Sequence, residues 1–168
     1  MSVVACRIYD DRIEIAADSI TVKGYTQAKG TTSKFAKLIQ VNDMTIGSVG
    51  NCEESGLLFQ FCETHKPASS SERDVRAFFV EFAEWKQKQT DKWELGNSYI
   101  LIIGPKAFYV DGLLVWEIVT YQAIGAGEAF ALAALYLGHG VQESVGVARE
   151  LSIYCEKPII SFVIPRII

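Results

Sequence analysis

The chain has 168 residues and a formal net charge of −4, with 49% hydrophobic and 21% charged residues. This length suits one domain with a sizeable core, and the composition excludes a disordered chain. The acidic balance, without a Lys/Arg-rich run, argues against nucleic acid or an anionic membrane as the main partner. The longest apolar stretches, Ile100–Ile103 and Ala129–Leu137, are too short to span a membrane, and no signal-peptide pattern opens the chain. We therefore expect a cytoplasmic protein.

The first part of the chain reads as four strands followed by two helices. Two apolar runs flank the acidic turn Asp10–Asp11 and predict a β-hairpin, whose second strand, Arg12–Ala17, alternates polar and apolar residues. The polar segment Ser19–Ser33 predicts a loop. The next strands and helices are predicted at Lys34–Val41, Met44–Val49, Cys52–His65 and about Glu72 to Gln89, the last capped by Ser71.

The second part reads as about three strands, two helices and a final β-rich segment, after a polar connection at Lys86–Asn97. The predicted elements are Ser98–Ile103, Ala107–Val110, Leu113–Thr120, Glu128–Leu137, about Val141 to Tyr154, and Pro158–Ile164. Two sheets between two helix layers would bury all the apolar faces. We therefore expect an α+β protein, a four-layer αββα sandwich of two antiparallel sheets between helix layers, in a single domain over residues 1–168.

Signals for a metal or a cofactor are weak. The four cysteines show no C-x-x-C spacing, which favours reduced thiols. His65 and His139 have no partner at metal-ligand spacing. Gly125-Ala126-Gly127 lacks the third glycine and the later acidic residue of a dinucleotide-binding loop. We expect neither a metal nor a cofactor.

Ser2 is the first candidate for chemistry, because removal of Met1 would make it the N-terminal residue. A free α-amine has a pKa of about 7.7–8.0 and can accept the hydroxyl proton of its own side chain, directly or through one water. A serine inside a chain needs a histidine for this step. Many proteins, however, begin with Met-Ser for processing reasons alone, so Ser2 by itself is weak support for a catalytic function.

Four motifs together give a resemblance to a known family. They are Ala16-Ala17-Asp18-Ser19 after the first hairpin, Lys34 at the start of the third strand, Ile46–Asn51 before the first helix and Ile124–Gly127 before the third. Over nearly its whole length the chain resembles the β-type subunits of the proteasome family, within the N-terminal-nucleophile hydrolases. It is most similar to the HslV branch and to the betaproteobacterial proteasome homologue. Sixteen residues separate Ser2 from Asp18 and Asp18 from Lys34, which is the spacing of the family.

The resemblance implies a catalytic set. Ser2 would be the nucleophile, Lys34 would favour its alkoxide, and Asp18 would keep the lysine charged and oriented. The Gly50 backbone N–H would stabilise the oxyanion. Lys37 is a competing candidate for the lysine, since strand registers are easily misread by a few residues. A plain structural ion pair is the alternative interpretation of the aspartate and the lysine.

The resemblance also implies a substrate-binding set, which comprises Ser48, Ser19, Thr21 and Ala126. Ser48 would line the pocket for the residue before the scissile bond. Ala126 occupies the position between two glycines where many relatives carry a serine. A gapless match of Val3–Arg7 to HslV puts Met1 at the nucleophile position. Ser2 is preferred because methionine offers no nucleophile.

The function that the resemblance implies is that of a self-compartmentalising endopeptidase acting on peptides or unfolded proteins through an acyl-enzyme. Its subunits would form a homo-oligomeric double ring, with six or seven subunits in each ring and so twelve or fourteen in all. An unfoldase partner is usual in the family, although no segment reveals one. The alternatives are an inactive ring-forming scaffold of the same fold and an N-terminal-nucleophile amidase that acts on a small molecule.

Overall fold

The computed structural model describes residues 2–28 and 35–167. Within them the first half of the chain contains β1 (Val4–Ile8), β2 (Arg12–Ala17), β3 (Thr21–Lys23), β4 (Thr26–Ala28), β5 (Leu38–Val41), β6 (Met44–Val49), α1 (Cys52–Cys62) and α2 (Glu72–Thr90). The second half contains β7 (Ser98–Ile103), β8 (Lys106–Asp111), β9 (Leu114–Ile118), β10 (Tyr121–Ile124), α3 (Glu128–Tyr136), α4 (Val141–Leu151) and β11 (Ile160–Pro165). None of the helices in these two ranges is long and apolar enough to cross a bilayer.

Most strands belong to two antiparallel sheets. One sheet has the order β10-β1-β2-β11, and the other has the order β5-β6-β7-β8-β9. The central strand β1 pairs with β2 and β10 on its two sides, so that Val4 lies opposite both Ala17 and Ile124. Strands β3 and β4 form a separate hairpin. The order places the first strand of the chain in the interior of a sheet.

Three apolar cores separate four layers. One core, which includes Phe61, Phe79 and Phe108, lies between α1, α2 and the five-stranded sheet. A second joins the facing sides of the two sheets through side chains such as Ile15 and Ile100. The third packs the four-stranded sheet against α3 and α4. The layers therefore run helix, sheet, sheet, helix, which confirms the predicted α+β sandwich.

The predicted cap of α2 is confirmed, whereas three short strands were not predicted. The side chain of Ser71 accepts a hydrogen bond from the Asp74 N–H at 3.1 Å, as its pattern predicts. The segment predicted as a loop after Ser19 instead contains β3 and β4, whose three-residue lengths are too short for a visible alternation. The predicted elements also lacked β10 (Tyr121–Ile124), which begins just after the predicted strand Leu113–Thr120 and has only four residues.

The two sheets approach each other closely at Gly47 of β6. A Cβ atom at Gly47 would lie 2.7 Å from Cγ1 of Val4 and 3.0 Å from Cδ2 of Leu38. The missing side chain lets β6 pack directly against β1. Since β1 begins just after Ser2 and β6 ends just before Gly50, this packing brings two predicted site residues to one end of the sandwich.

Candidate functional site

Asp18 is a buried carboxylate with four hydrogen-bond donors around it. It follows β2 and is 1% exposed. Its Oδ1 accepts from the Val3 N–H at 2.9 Å and from Nζ of Lys37 at 2.8 Å. Its Oδ2 accepts from the Ile20 N–H at 3.1 Å and from the Glu156 N–H at 3.2 Å. The acceptor capacity of a buried carboxylate is thus used, as burial of a charge requires.

Lys37 supplies the cation of this pair. It lies just before β5 and is 7% exposed. Burial lowers the pKa of Lys37, and the charge and hydrogen bond of Asp18 act in the opposite direction. Lys34, the lysine implied by the sixteen-residue spacing, lies outside the described residues. Of the two lysines named from the sequence, Lys37 is the one seen in contact with Asp18.

Ser2 is held by its backbone against the turn before α3. Its carbonyl accepts a hydrogen bond from the Gly127 N–H at 3.1 Å. Gly125 has a φ of +100°, and a Cβ there would lie 2.3 Å from the same carbonyl oxygen. Only glycine fits so close an approach at this positive φ. Ala126, between the two glycines, is exposed.

A small pocket of about 50 Å³ brings several predicted residues together. It is lined by Ser2, Ile20, Thr21, Val22, Phe35, Lys37, Ser48, Val49, Gly50, Cys52 and Ser55. Asp18 lies behind Lys37 and reaches the pocket through it. Ser19 and Ala126 are outside the lining. The Ser19 hydroxyl instead donates a hydrogen bond to the Pro158 carbonyl.

Three polar residues that the sequence analysis did not single out, Ser55, Cys52 and Asn97, lie at the pocket wall or directly behind it. The hydroxyl of Ser48 lies 2.6 Å from that of Ser55, and both are buried. The Asn97 amide donates to Ser55 Oγ at 3.0 Å. The exposed Cys52 begins α1 at the pocket edge. The position of Ser55, four residues after the helix cap Asn51, is visible in the sequence. In the structure both its N–H and its hydroxyl donate to the Asn51 carbonyl.

A second buried ion pair, between Glu54 and Lys86, lies behind this wall. Glu54 Oε2 is 3.0 Å from Nζ of Lys86 and also accepts from the Gly96 N–H at 3.1 Å. Its Oε1 accepts from the Tyr99 hydroxyl at 2.7 Å and the Asn97 N–H at 3.0 Å. Burial would raise the pKa of Glu54, but these hydrogen bonds outweigh it and lower the pKa from its ordinary value.

A larger cavity, of about 610 Å³, lies on the other side of this ion pair. Residues of α1, the end of α2 and the segment before β7 line it, among them Leu57, Gln87 and Trp93. Its volume exceeds that of the small pocket, but Ser2, Lys37 and Gly50 are not among its lining residues. The small pocket is the candidate site, because it combines a hydroxyl, a buried ammonium and an exposed glycine at the end of a strand.

Comparison with solved structures finds close likeness in fold. BPH (a bacterial proteasome homologue) from Thiobacillus denitrificans, in complex with epoxomicin, has a TM-score of 0.87 at 21% identity, covering 97% of this chain and 98% of that chain. Eukaryotic HslV from Trypanosoma brucei has a TM-score of 0.69 at 18% identity, covering 98% and 99%. Anbu (ancestral beta-subunit) from Yersinia bercovieri has a TM-score of 0.70 at 16% identity, covering 98% and 82%.

Comparisons of sequence, by contrast, find no match. No protein-family model matches the chain, and no curated protein matches it. The likeness to the solved structures is therefore one of fold, and it extends over nearly the full length of BPH and HslV. This chain has the fold of the proteasome-like N-terminal-nucleophile hydrolases.

Proposed function

We propose that the protein is a proteasome-like peptidase that hydrolyses peptide bonds with Ser2 as an N-terminal serine nucleophile, after removal of Met1. One observation carries the proposal. Ser2, Lys37 and Gly50 line the same pocket, and Asp18 pairs with Lys37 directly behind it. A hydroxyl beside a buried ammonium, within reach of a backbone donor, is the arrangement that acyl transfer needs.

The first step is attack of the Ser2 hydroxyl on the carbonyl carbon of the scissile peptide bond. The free α-amine of Ser2 accepts the hydroxyl proton as the side-chain oxygen forms its bond to the carbonyl carbon. The Lys37 ammonium favours the alkoxide through its charge, and Asp18 orients that ammonium. In this scheme Lys37 takes the role that the sixteen-residue spacing assigns to Lys34.

The second requirement is stabilisation of the oxyanion. We assign this to the backbone N–H of Gly50, since one such donor typically contributes about 3–4 kcal/mol to the transition state. The tetrahedral intermediate collapses to an ester on Ser2, and the α-ammonium gives its proton to the leaving amine. Water then attacks the ester, with the α-amine as base, and releases the acid product with Ser2 regenerated.

Substrate binding is proposed along the same pocket. Thr21 and Ser48 both line it, and the side chain of Ser48 is small. Ser48 would contact the substrate residue that precedes the scissile bond. Ala126 is exposed in the turn that holds the Ser2 carbonyl, where its backbone would face an extended peptide. Ser19 would act indirectly, through its bond to the Pro158 carbonyl.

We further propose that identical subunits assemble into a double ring in the cytoplasm. The α3–α4 layer and the residues just after it leave large apolar side chains exposed, which are Phe130, Tyr136, Leu137, Val147, Leu151 and Ile153. Several exposed apolar side chains on one layer are typical of a protein-binding surface. A closed ring of copies would cover them. All four cysteines are free thiols, which agrees with a reducing compartment.

A ring-forming scaffold without activity is the second candidate, and Ala126 favours it. The turn beside Ser2 has a methyl group where many relatives carry a serine hydroxyl, so one polar group near the α-amine is missing. The fold and the exposed apolar side chains would serve a scaffold equally well. The two candidates differ only in whether the pocket reacts.

Intact mass spectrometry after incubation with a peptide epoxyketone separates the two. This reagent traps both the hydroxyl and the free amine of an N-terminal serine. We expect one adduct on the wild-type chain that has lost Met1, one on Ser2→Thr, which keeps both groups, and none on Ser2→Ala. A correctly processed wild-type chain that fails to react contradicts the peptidase and favours the scaffold.

A further inference from the structure

We propose that Asn97 is a positioning residue that holds the backbone of Gly50 and Asn51 in place, so that the Gly50 N–H can meet the oxyanion. The inference rests on the proposed function, since it concerns the donor of that reaction. Asn97 directly precedes β7 and is 1% exposed. It lies far from Gly50 in sequence and against it in the fold.

The Asn97 carboxamide makes two hydrogen bonds to the backbone of Asn51, the residue that follows Gly50. Its Oδ1 accepts from the Asn51 N–H at 2.6 Å, and its Nδ2 donates to the Asn51 carbonyl at 2.8 Å. One side chain therefore bonds both backbone polar groups of one residue. The Asn51 N–H belongs to the Gly50–Asn51 peptide and the Asn51 carbonyl to the next peptide, so the two bonds hold the peptide units on both sides of the Asn51 Cα. The Gly50 N–H belongs to the preceding Val49–Gly50 peptide, and Asn97 positions it through the Gly50 Cα.

Asn97 also packs directly on Gly50. The backbone of Gly50 has a φ of +127°, and a Cβ there would lie 2.1 Å from Oδ1 of Asn97. The amide thus occupies the space that any side chain at position 50 would need. This contact and the positive φ are two separate reasons why position 50 requires glycine.

Asn97 is itself held by the buried ion-pair network. Its backbone N–H donates to Glu54 Oε1 at 3.0 Å, and the second hydrogen of its Nδ2 donates to Ser55 Oγ at 3.0 Å. Both amide hydrogens and the amide oxygen are therefore engaged. A carboxamide with no unused donor has little freedom to rotate, which makes it a firm support for a neighbouring peptide.

An oxyanion donor acts in the transition state, so its misorientation lowers kcat more than it changes substrate binding. A misplaced donor costs roughly 10- to 100-fold in rate. We expect Asn97→Ala to lower kcat by about that factor, with KM changed less than about threefold. Affinity for a peptide boronate, which forms a tetrahedral adduct, should fall by a similar factor.

The experiment compares Asn97→Ala, Asn97→Asp and Ser144→Ala in the full chain, with a fluorogenic peptide and a peptide boronate. Asn97→Asp keeps an acceptor for the Asn51 N–H and loses both amide donors, so its kcat should be intermediate. Ser144→Ala is the matched structural control. Ser144 is buried in α4, and its hydroxyl donates to the Gly140 carbonyl at 2.8 Å and takes part in none of the hydrogen bonds of Asn97, so we expect a lower Tm with kcat within about twofold.

The outcomes are distinct. A folded Asn97→Ala with kcat within twofold of wild type overturns the inference, and so does a loss of kcat that only parallels Tm across all three variants. If Asn97→Ala does not fold, the same criteria apply to Asn97→Asp. A wild-type chain that neither cleaves the peptide nor reacts with the epoxyketone overturns the proposed function and this inference together. An active wild type with unaffected Asn97 variants overturns the inference alone.

Discussion

Nζ of Lys37 lies 2.8 Å from Oδ1 of Asp18, with the two side chains 6% and 0% exposed. A buried pair of this kind is costly to break, because removal of one partner leaves an uncompensated charge in the interior. Destabilisation alone would therefore not reveal a catalytic role. Stability and reactivity must be measured on the same variants.

Replacement of Lys37 by the apolar Met should lower the free energy of unfolding by about 3–5 kcal/mol, because Asp18 loses its cation. We also expect loss of epoxyketone labelling in the fraction that remains folded. Urea denaturation and intact mass measure the two effects. Lys34→Met is the matched comparison, and we expect it to label like the wild type. Labelling that survives in Lys37→Met and disappears in Lys34→Met would return the role to Lys34.

The alkaline limb of the pH profile reports on Lys37. Burial lowers the pKa of Lys37, and the Asp18 charge partly opposes this. As the pH is raised, a reaction that needs the ammonium should therefore lose activity before the pH reaches 10.5, the ordinary pKa of lysine. Asp18→Asn removes the opposing charge, and the limb of kcat/KM should move to lower pH. Asp43→Asn, at an exposed pair with Lys66, is the control and should leave the limb in place. An unmoved limb in Asp18→Asn contradicts the assignment.

The turn that holds Ser2 should tolerate no side chain at position 125. In Gly125→Ala the new Cβ would meet the Ser2 carbonyl oxygen at 2.3 Å and the backbone would be strained at φ +100°. Gly138→Ala has a similar φ of +95° in open space, so it measures the cost of the backbone alone, about 1 kcal/mol. We expect Gly125→Ala to be destabilised by at least twice that amount and to lose labelling. Equal free energies of unfolding for the two variants would contradict the contact.

Glu54 should contribute to stability only where it is ionised in the folded protein. Its folded pKa lies below the ordinary 4.5, so the contribution is complete above that value and is lost as the pH falls through the folded pKa. The difference in the free energy of unfolding between wild type and Glu54→Gln should be large at pH 7 and small near pH 2. The neighbouring exposed Glu53, changed to Gln, should show little difference at either pH. A difference for Glu54→Gln that does not depend on pH would be the contrary result.

Local pattern was sufficient to predict the layers but not the short connections. Strands Met44–Val49 and Ser98–Ile103 have the bounds that their apolar runs predict. The three-residue strands β3 and β4 carry no period that a sequence can display. They lie between Asp18 and the two lysines, so a difference in the length of this segment changes the number of residues between the aspartate and its lysine. The sixteen-residue spacing predicted Lys34, whereas the ammonium seen beside Asp18 belongs to Lys37.

The second network could not be predicted, because its partners are distant in sequence. Glu54 bonds Asn97 and Tyr99, which follow it by 43 and 45 residues. In sequence, Glu54 stands beside Glu53 in the first turn of a helix, and nothing local separates the buried acid from the exposed one. Only the packing of the segment before β7 onto α1 gives Glu54 its partners.

Gly47 contributes no functional group, yet its lack of a side chain determines how closely β6 packs against β1. Hydrogen in place of a methyl group lets the strand that leads to Gly50 rest on the strand that follows Ser2. A larger residue there would push β6 away from β1 and move Ser2 and Gly50, the proposed nucleophile and the proposed oxyanion donor, apart without touching either. The geometry of the proposed site thus depends on an interior position where the size of the side chain matters more than its chemical character.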